Sequence, residues 1–236
     1  MFDKFKRRSY ELEHIDTGNY TAAEYEGCIG ELQIVNRWMG DAHTLKATLL
    51  TDVAAERLKQ FSVLDVGAGS GELLRVTATW ARETGRTLHA VGLELNERSA
   101  TAILEESRGF PEITSVRGDA LSLPFEDAEF DYVICSLFTH HFVEEQVVQI
   151  LREMSRVARR RIIVIDLHRH PMAYLLYTTL GKIILKNRLL RHDGALSILR
   201  SFKKDELFEL AKRAGLRHVW VSRHFPYRLV LNAQTT

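Results

Sequence analysis

The chain has 236 residues, 45% of them hydrophobic and 27% charged, and a formal net charge of +1. This length predicts one large domain, or one domain with a cap, that buries a full core. The composition excludes disordered, collagen-like and coiled-coil proteins. The two cysteines, Cys28 and Cys135, are far apart and form no Cys-x-x-Cys pair. They exclude a disulfide framework and a structural zinc site, and they predict a reduced, cytoplasmic protein.

Charge is divided unevenly along the chain. Residues 1–150 carry 14 Lys and Arg against 25 Asp and Glu, whereas residues 151–236 carry 18 against 6. A basic third is typical of chains that bind acidic partners, nucleic acid or an anionic membrane surface. A folded chain also mixes both halves on one surface, so the imbalance alone selects none of these partners.

Residues 1–59 are predicted to be helical, because apolar residues recur there at three- and four-residue steps. The charged N-terminus predicts no signal peptide. The first apolar run is Leu32, Val35, Trp38 and Met39, and the second is Leu45, Leu49 and Val53.

From residue 61 onward, short apolar runs alternate with helical patterns. This alternation predicts crossover connections and an α/β fold with a doubly wound, mostly parallel sheet that helices cover on both faces. The predicted strands are residues 61–66, 88–95, 113–117, 130–137 and 161–167, and the predicted helices are residues 72–83, 97–107 and 144–158.

Beyond the fifth strand the alternation breaks. Residues 169–200 are predicted to be inserted helices, and their apolar stretch, 172–185, is shorter than the ~20 residues of a membrane span. A helix is predicted at residues 204–213. The extended runs 216–222 and 228–232 that follow predict a terminal antiparallel hairpin.

A glycine cluster follows the first predicted strand. Gly67, Gly69 and Gly71 form a G-x-G-x-G loop, in which the third glycine comes one residue earlier than in the dinucleotide fingerprint. Asp65 precedes the loop by two residues. Glycines at this position let the backbone turn sharply and approach a ligand, and they expose the free N–H groups of the next helix. The loop and the acid together favour a ligand site over a plain turn.

Two further acids end neighbouring strands. Glu94 ends the second strand, at a position from which a carboxylate reaches ribose hydroxyls in doubly wound folds. Asp119 ends the third strand, where it can accept a hydrogen bond from an adenine amine or cap the following turn.

These segments together resemble the class I S-adenosylmethionine-dependent methyltransferases. VLDVGAGSGELL (63–74) resembles their first motif, and LELN around Glu94 resembles their second-strand acid. GDALSLPFEDAEFDYVICSLFTHHF (118–142) resembles their third- and fourth-strand motifs. The spacing is most similar to the small-molecule, type 11/25 group that includes quinone-biosynthesis methyltransferases. The RHDG stretch and the N-terminal helices are similar to bacterial methyltransferases of polyketide-type aromatic compounds, in secondary metabolism.

The resemblance implies a Rossmann-like sheet of seven strands, mostly parallel, whose last strand is antiparallel, in agreement with the predicted hairpin. It also implies a division of the chain into four parts. These are an N-terminal helical cap (1–59), a cofactor-binding core (60–168), a helical insert or lid (169–200) and the end of the core (201–236).

The resemblance further implies S-adenosylmethionine as the cofactor and S-adenosylhomocysteine as its product. The sequence shows no metal triad at plausible ligand spacing, so no metal ligands are predicted. The implied cofactor residues are Asp65, Gly67, Ala68, Gly69 and Gly71 around the methionine moiety, Glu94 on the ribose, Leu95, Asp119 and Ala120 at the adenine, and Ser136 and Leu137 beside the sulfonium.

The implied reaction is in-line methyl transfer to oxygen or carbon of a small, apolar acceptor of aromatic, phenolic or polyketide type. A phenol with a pKa near ~10 is mostly neutral at pH 7, so a general base helps. Histidine titrates in the useful range. The candidate bases are His140 and His141 after the fourth strand and His192 beside Asp193, with Asp166 as a group that could orient one of them.

Several alternatives remain open at this point. A nucleic-acid methyltransferase would use the basic C-terminal third, but no Asn/Asp-Pro-Pro-aromatic stretch follows the fourth strand, and Cys135 lies in an apolar strand. A regulatory protein that binds the cofactor without transfer is the other alternative. The insert 169–200 could be an acceptor lid, a dimer face or a peripheral membrane contact, and the chain could be a monomer or a homodimer.

Overall fold

The computed structural model describes residues 2–18, 20–21, 24, 27, 31 and 40–235. The predicted helix through Leu32, Val35, Trp38 and Met39 and the predicted reduced Cys28 lie outside these residues. Cys135 is a free, buried thiol in a strand, as the sequence predicts.

A seven-stranded sheet forms the centre of the fold, with the strand order β3-β2-β1-β4-β5-β7-β6. The first five strands in this order are parallel, and β7 runs antiparallel to both of its neighbours, β5 and β6. The predicted doubly wound sheet with an antiparallel last strand is therefore confirmed. The strands are β1 (Gln60–Val66), β2 (Thr87–Glu94), β3 (Ile113–Arg117), β4 (Phe130–Ser136), β5 (Ala158–Leu167), β6 (Arg217–His224) and β7 (Arg228–Gln234).

Helices cover both faces of this sheet. Alternate residues of β1 point to opposite faces, so Val63 packs in one apolar core and Leu64 in the other. The helices are α1 (His14–Thr17), α2 (Asp41–Leu45), α3 (Thr51–Ala55), α4 (Glu72–Glu83), α5 (Glu97–Glu106), α6 (Glu144–Val157), α7 (Pro171–Ile184), α8 (Arg188–Arg200) and α9 (Lys204–Arg213). A π-helical turn, Lys46–Leu50, joins α2 to α3, and 3-10 turns occur at Phe2–Phe5 and Thr139–His141.

Most strand boundaries lie within two residues of the sequence prediction, and the ends of β4 and β5 show why some differ. β4 ends at Ser136, because Leu137 has a φ of 51° in the left-handed region and turns the chain out of the strand. β5 begins at Ala158, three residues before the predicted start. The sequence prediction leaves these residues out because they include a run of arginines, which lacks the apolar pattern of a buried strand. Arg159 and Arg160 both pair with Asp131 on the neighbouring strand, which stabilises this charged extension.

Buried arginines, Arg8 among them, hold the described N-terminal residues beside the carboxyl edge of the sheet. Arg8 donates hydrogen bonds to the carbonyl oxygens of His140 at 3.2 Å and Phe142 at 3.0 Å. It also donates to the carbonyl oxygen of Arg200 at 2.5 Å, at the end of α8. These bonds satisfy backbone acceptors that α8 and the β4–α6 loop leave open, and they bring residues 9–14 over the site. Among the described helices, none has the length and apolar character to cross a bilayer.

Candidate active site

A cavity of about 320 Å³ opens at the carboxyl ends of β1, β4 and β5. Parallel strands bring their carboxyl ends and the following loops to one edge of a sheet, which is where such folds bind ligands. Its lining comes from the glycine loop, the β4–α6 loop, α2, α7, α8 and the N-terminal segment. Of the sequence-predicted residues, it includes Asp65, Gly67, Ala68, Gly69, Ser136, Leu137, His140 and His141.

The glycine loop has the backbone that only glycine adopts freely. Gly67, Gly69 and Gly71 have φ values of 73°, 60° and 80°, all in the left-handed region. A Cβ on Gly67 would lie 2.3 Å from the Phe138 ring, so the loop and the β4–α6 loop pack too closely for a side chain. A Cβ on Gly69 would meet nothing within 4 Å, so the loop keeps an open side on the cavity.

Two carboxylates lie beneath this loop. Asp65 is 2% exposed, and its Oδ1 has no hydrogen-bond partner among the described residues. Burial, with a further contribution from the negative charge of Glu94, raises the pKa of Asp65 to about 8. Glu94 Oε1 accepts a hydrogen bond of 2.6 Å from the backbone N–H of Gly69. Burial raises the pKa of Glu94, against the lowering effect of the N–H groups of Gly69 and Leu95.

The predicted adenine residues lie outside the cavity lining. Asp119 is exposed, and its Oδ1 accepts a 2.9 Å hydrogen bond from the backbone N–H of Leu121, so it caps the turn after β3. Ala120 is buried beside it, whereas the Leu95 side chain is 65% exposed. Asp119 can therefore cap this turn with Oδ1 and still accept a hydrogen bond from an adenine amine with its other carboxylate oxygen.

One predicted histidine is buried against a carboxylate. His140 is 3% exposed, and its Nδ1 lies 2.7 Å from Oδ1 of Asp166. The backbone N–H of His140 donates to Oδ2 of the same carboxylate at 3.0 Å. Burial disfavours the charged form of Asp166, but the adjacent His140 and the hydrogen bonds from Thr139 and Leu167 outweigh it and lower the pKa to about 2. Asp166 is thus an anion that fixes the ring of His140 through Nδ1, and His140 is one of the residues that line the cavity.

His141 lies next to this ring and faces a glutamate that the sequence analysis does not single out. The rings of His140 and His141 are 4.2 Å apart between centroids. Glu13 is 4% exposed, and its Oε1 accepts a 2.7 Å hydrogen bond from Ser197 Oγ. One ligand atom each from Glu13, His140 and His141 lies within 4.8 Å of the other two, a nitrogen-and-oxygen set that could hold a divalent cation. No local motif connects Glu13 to the histidines, which lie more than a hundred residues later.

The third predicted histidine, His192, is not among the cavity-lining residues, although its neighbour Asp193 is. The His192 side chain is 48% exposed, and its Nδ1 lies 2.9 Å from Oδ1 of Asp193. Its ring stacks on that of His14 with centroids 4.1 Å apart. His14, His192 and Asp193 form a second trio whose ligand atoms lie within 4.8 Å of one another. The folded chain therefore separates the three candidate bases into a buried, carboxylate-bound histidine, its neighbour and a solvent-exposed one.

An ion pair that the sequence analysis also misses forms part of the lining. Arg228, at the start of β7, donates to Oδ1 of Asp41 at 2.5 Å and to Oδ2 at 3.2 Å. Arg228 is 1% exposed and Asp41 is 5% exposed, so each side chain compensates the buried charge of the other. The pair ties α2 to the sheet edge.

Comparison with known proteins agrees with this architecture. Residues 64–165 match the family described as methyltransferase domain. A demethylmenaquinone methyltransferase of Staphylococcus carnosus is 27% identical over 175 residues, which cover 69% of this chain and 70% of that protein. Alignments to other curated relatives are shorter, and the chain spans about two fifths of their length.

Solved structures extend the agreement over most of the fold. A SAM-dependent methyltransferase from Aquifex aeolicus aligns with a TM-score of 0.60 at 17% identity, over 86% of this chain and 98% of that one. Magnesium protoporphyrin IX methyltransferase from Synechocystis PCC 6803 with bound SAH aligns with a TM-score of 0.57 at 17% identity, over 84% of each chain.

Residues 64–165 carry a methyltransferase domain, and the sheet order and the glycine loop around it are those of the Rossmann-like methyltransferase fold. S-adenosylmethionine is the cofactor that such a domain implies. The cavity fits this group on its own chemistry. The loop at Gly69 has no side chain to obstruct a ligand. Among the described residues, a buried carboxylate oxygen of Asp65 has no partner and can accept a hydrogen bond from a cationic amino group. The prediction of the fold is confirmed, and the prediction of a methyltransferase domain is confirmed for residues 64–165.

Proposed function

We propose that this chain methylates a hydroxyl group, or an activated carbon, of a small apolar acceptor of aromatic, phenolic or polyketide type, with His140 as the general base. The observation that carries the proposal is the buried Asp166–His140 pair, which opens on the same cavity as the glycine loop.

The cofactor supplies an activated methyl group on a sulfonium. In the proposal, the Gly67–Gly71 loop holds its methionine moiety and Asp65 pairs with its ammonium group. Glu94 exchanges its hydrogen bond to Gly69 for the ribose hydroxyls. Asp119, Ala120 and Leu95 bound the adenine, and Ser136 and Leu137 lie beside the sulfur. Holding both reactants at attack distance can supply about 7–11 kcal/mol.

The acceptor side of the cavity supports an apolar substrate. Leu167, Tyr177, Leu190 and Ile198 line it, from β5, α7 and α8. Such lining with a few polar groups is typical of small-molecule sites. The relative named demethylmenaquinone methyltransferase also supports an apolar, ring-containing acceptor.

His140 receives the acceptor proton at Nε2 in this proposal. Asp166 holds Nδ1, so Nε2 is the ring nitrogen left to take the proton, and the carboxylate stabilises the imidazolium that forms. His141 and Glu13 border the acceptor. His192, which is half-exposed and outside the cavity lining, is not needed for the step.

The test is methyl transfer from radiolabelled cofactor to two phenols that differ in acidity. With a weakly acidic phenol, His140→Ala should lower turnover by about 10²–10⁴-fold, the usual effect of a positioned base. With a nitrophenol that is already ionised at pH 8, the same variant should keep most of its turnover, because no proton remains to be removed.

His192→Ala is the matched control and should behave like the wild type on both phenols. Equal losses for His140→Ala on both phenols would show that the ring only shapes the site. If neither phenol is methylated by the wild type and steeply salt-dependent binding to RNA appears instead, the small-molecule proposal fails.

A further inference from the structure

Helix α7 carries an exposed apolar stripe on its outer face. The members recur at three- and four-residue steps, so they lie on one side of the helix. Ile183 is 82% exposed and Ile184 is 67% exposed. A single exposed aliphatic residue is common on a protein surface, whereas a contiguous exposed apolar patch marks an interaction site. The stripe consists of Met172, Leu175, Leu176, Leu180, Ile183 and Ile184.

Cations border the last turn of this stripe. Residues 167–192 contain no Asp or Glu, although the chain as a whole has nearly equal numbers of acids and bases. Lys182, Lys186 and Arg191 are exposed, and their side chains form no ion pair in the described part of the chain. The Glu31 carboxylate accepts from the backbone N–H of Lys186 at 3.2 Å, not from its ammonium group. Arg188 differs, because it pairs with Glu24 at 2.5 Å.

The inner side of the same helix reaches the acceptor cavity. Tyr177 lines the cavity, and its hydroxyl donates a 2.6 Å hydrogen bond to the carbonyl oxygen of Leu190 on α8. Leu190 also lines the cavity. One helix therefore separates the exposed stripe from the acceptor space.

We propose that α7 lies in the interface of an anionic lipid bilayer, with the stripe in the acyl boundary and Lys182, Lys186 and Arg191 at the headgroups. A helix with an apolar face and flanking cations binds in this way, without spanning the membrane. Delivery of a lipid-dissolved acceptor to the cavity would rest on the proposed function, but the docking itself does not depend on it.

A second copy of the chain fits this face less well than lipid. In a twofold-symmetric dimer the same patch meets itself, so Lys182 and Lys186 of one chain would approach those of the other. Unpaired like charges at an interface cost free energy, whereas anionic headgroups neutralise them.

Flotation with vesicles tests the docking. The full chain should float with vesicles of phosphatidylglycerol and phosphatidylcholine, and much less with phosphatidylcholine alone. Raising the salt from ~0.1 to ~1 M shortens the screening length from ~10 to ~3 Å and should release most of the protein.

Two variants separate the contributions. Ile183→Glu should weaken partitioning by roughly 10–100-fold, the effect of losing one buried isoleucine. Lys182→Gln combined with Lys186→Gln should weaken it by roughly 30-fold, at about 1 kcal/mol per cation. Leu104→Glu is the matched control, because Leu104 is a 49% exposed aliphatic on α5, and it should float like the wild type.

Three results would overturn the docking proposal. The wild type does not float with vesicles, it floats equally well with anionic and neutral vesicles, or Leu104→Glu weakens flotation as much as Ile183→Glu does. A concentration-dependent dimer without lipid that Ile183→Glu dissociates would assign the stripe to a second copy instead. Calorimetric titration with S-adenosylhomocysteine is run on every variant. Retained binding with failed flotation removes this inference alone, whereas absent binding in the wild type removes the proposed function.

Discussion

The buried carboxylate of Asp65 should make the stability of the cofactor-free protein depend on pH. Its pKa is raised from 3.8 to about 8 in the folded chain, because burial and the charge of Glu94 disfavour ionisation. The unfolded chain therefore releases this proton near pH 4, and the folded chain near pH 8. A raised folded-state pKa contributes stability that is complete below the unfolded value and is lost as the pH rises through the folded value.

The variant Asp65→Asn removes this titration. Each unit of pH between about 4 and 8 should cost the wild type about 1.4 kcal/mol that the variant does not lose. Between pH 5 and pH 8 the gap in the free energy of unfolding should change, in favour of the variant, by on the order of 4 kcal/mol. The assay is urea denaturation followed by circular dichroism at one-unit steps.

Asp119→Asn is the matched control, because Asp119 is an exposed acid at a neighbouring strand end. Its profile should run parallel to that of the wild type. Asp65→Asn should at the same time weaken S-adenosylhomocysteine binding by roughly 10–100-fold, the usual loss of one hydrogen bond to a charged group. Parallel profiles for Asp65→Asn and the wild type would refute the reasoning, since they would mean that Asp65 is ionised throughout.

Two other predictions address the cavity lining. Arg228→Met should destabilise the fold by about 3–5 kcal/mol in urea denaturation, because it leaves the buried charge of Asp41 uncompensated. Adding Asp41→Asn should recover part of the loss. An unchanged urea midpoint for Arg228→Met alone would contradict this prediction. Added Zn²⁺ should inhibit turnover, because it would coordinate Nε2 of His140 together with Glu13 and His141. A chelator should leave the rate of the zinc-free protein unchanged, and His141→Ala should relieve the inhibition. A rate that falls on chelation would instead make the cation part of the reaction.

The parts of the fold that could be predicted from sequence are those with local signals. The helix Lys204–Arg213 has Asp205 and Glu206 in its first turn and Gly215 just beyond its end, and its predicted bounds agree with the structure. The strand Ile113–Arg117 is likewise found where its apolar run predicts it. The sequence places the start of β5 too late, because Arg159 and Arg160 pair with Asp131, which only the folded sheet brings near them.

The site divides in the same way. The glycine loop and Asp65 lie within one short segment, so their spacing alone indicates a ligand. Glu13 and the Asp41–Arg228 pair have no such signal, because their partners are more than a hundred residues away in sequence. The choice among the three histidines needed the structure too, since burial and the bond to Asp166 distinguish His140 from His192.

The most direct test of the central claim is a crystal structure with S-adenosylhomocysteine bound. The account predicts that the homocysteine moiety lies against the Gly67–Gly71 loop, that Glu94 contacts the ribose hydroxyls, and that the sulfur faces the part of the cavity bordered by His140. A ligand bound elsewhere, or a sulfur directed away from His140 with Glu94 still bonded to Gly69, would contradict it.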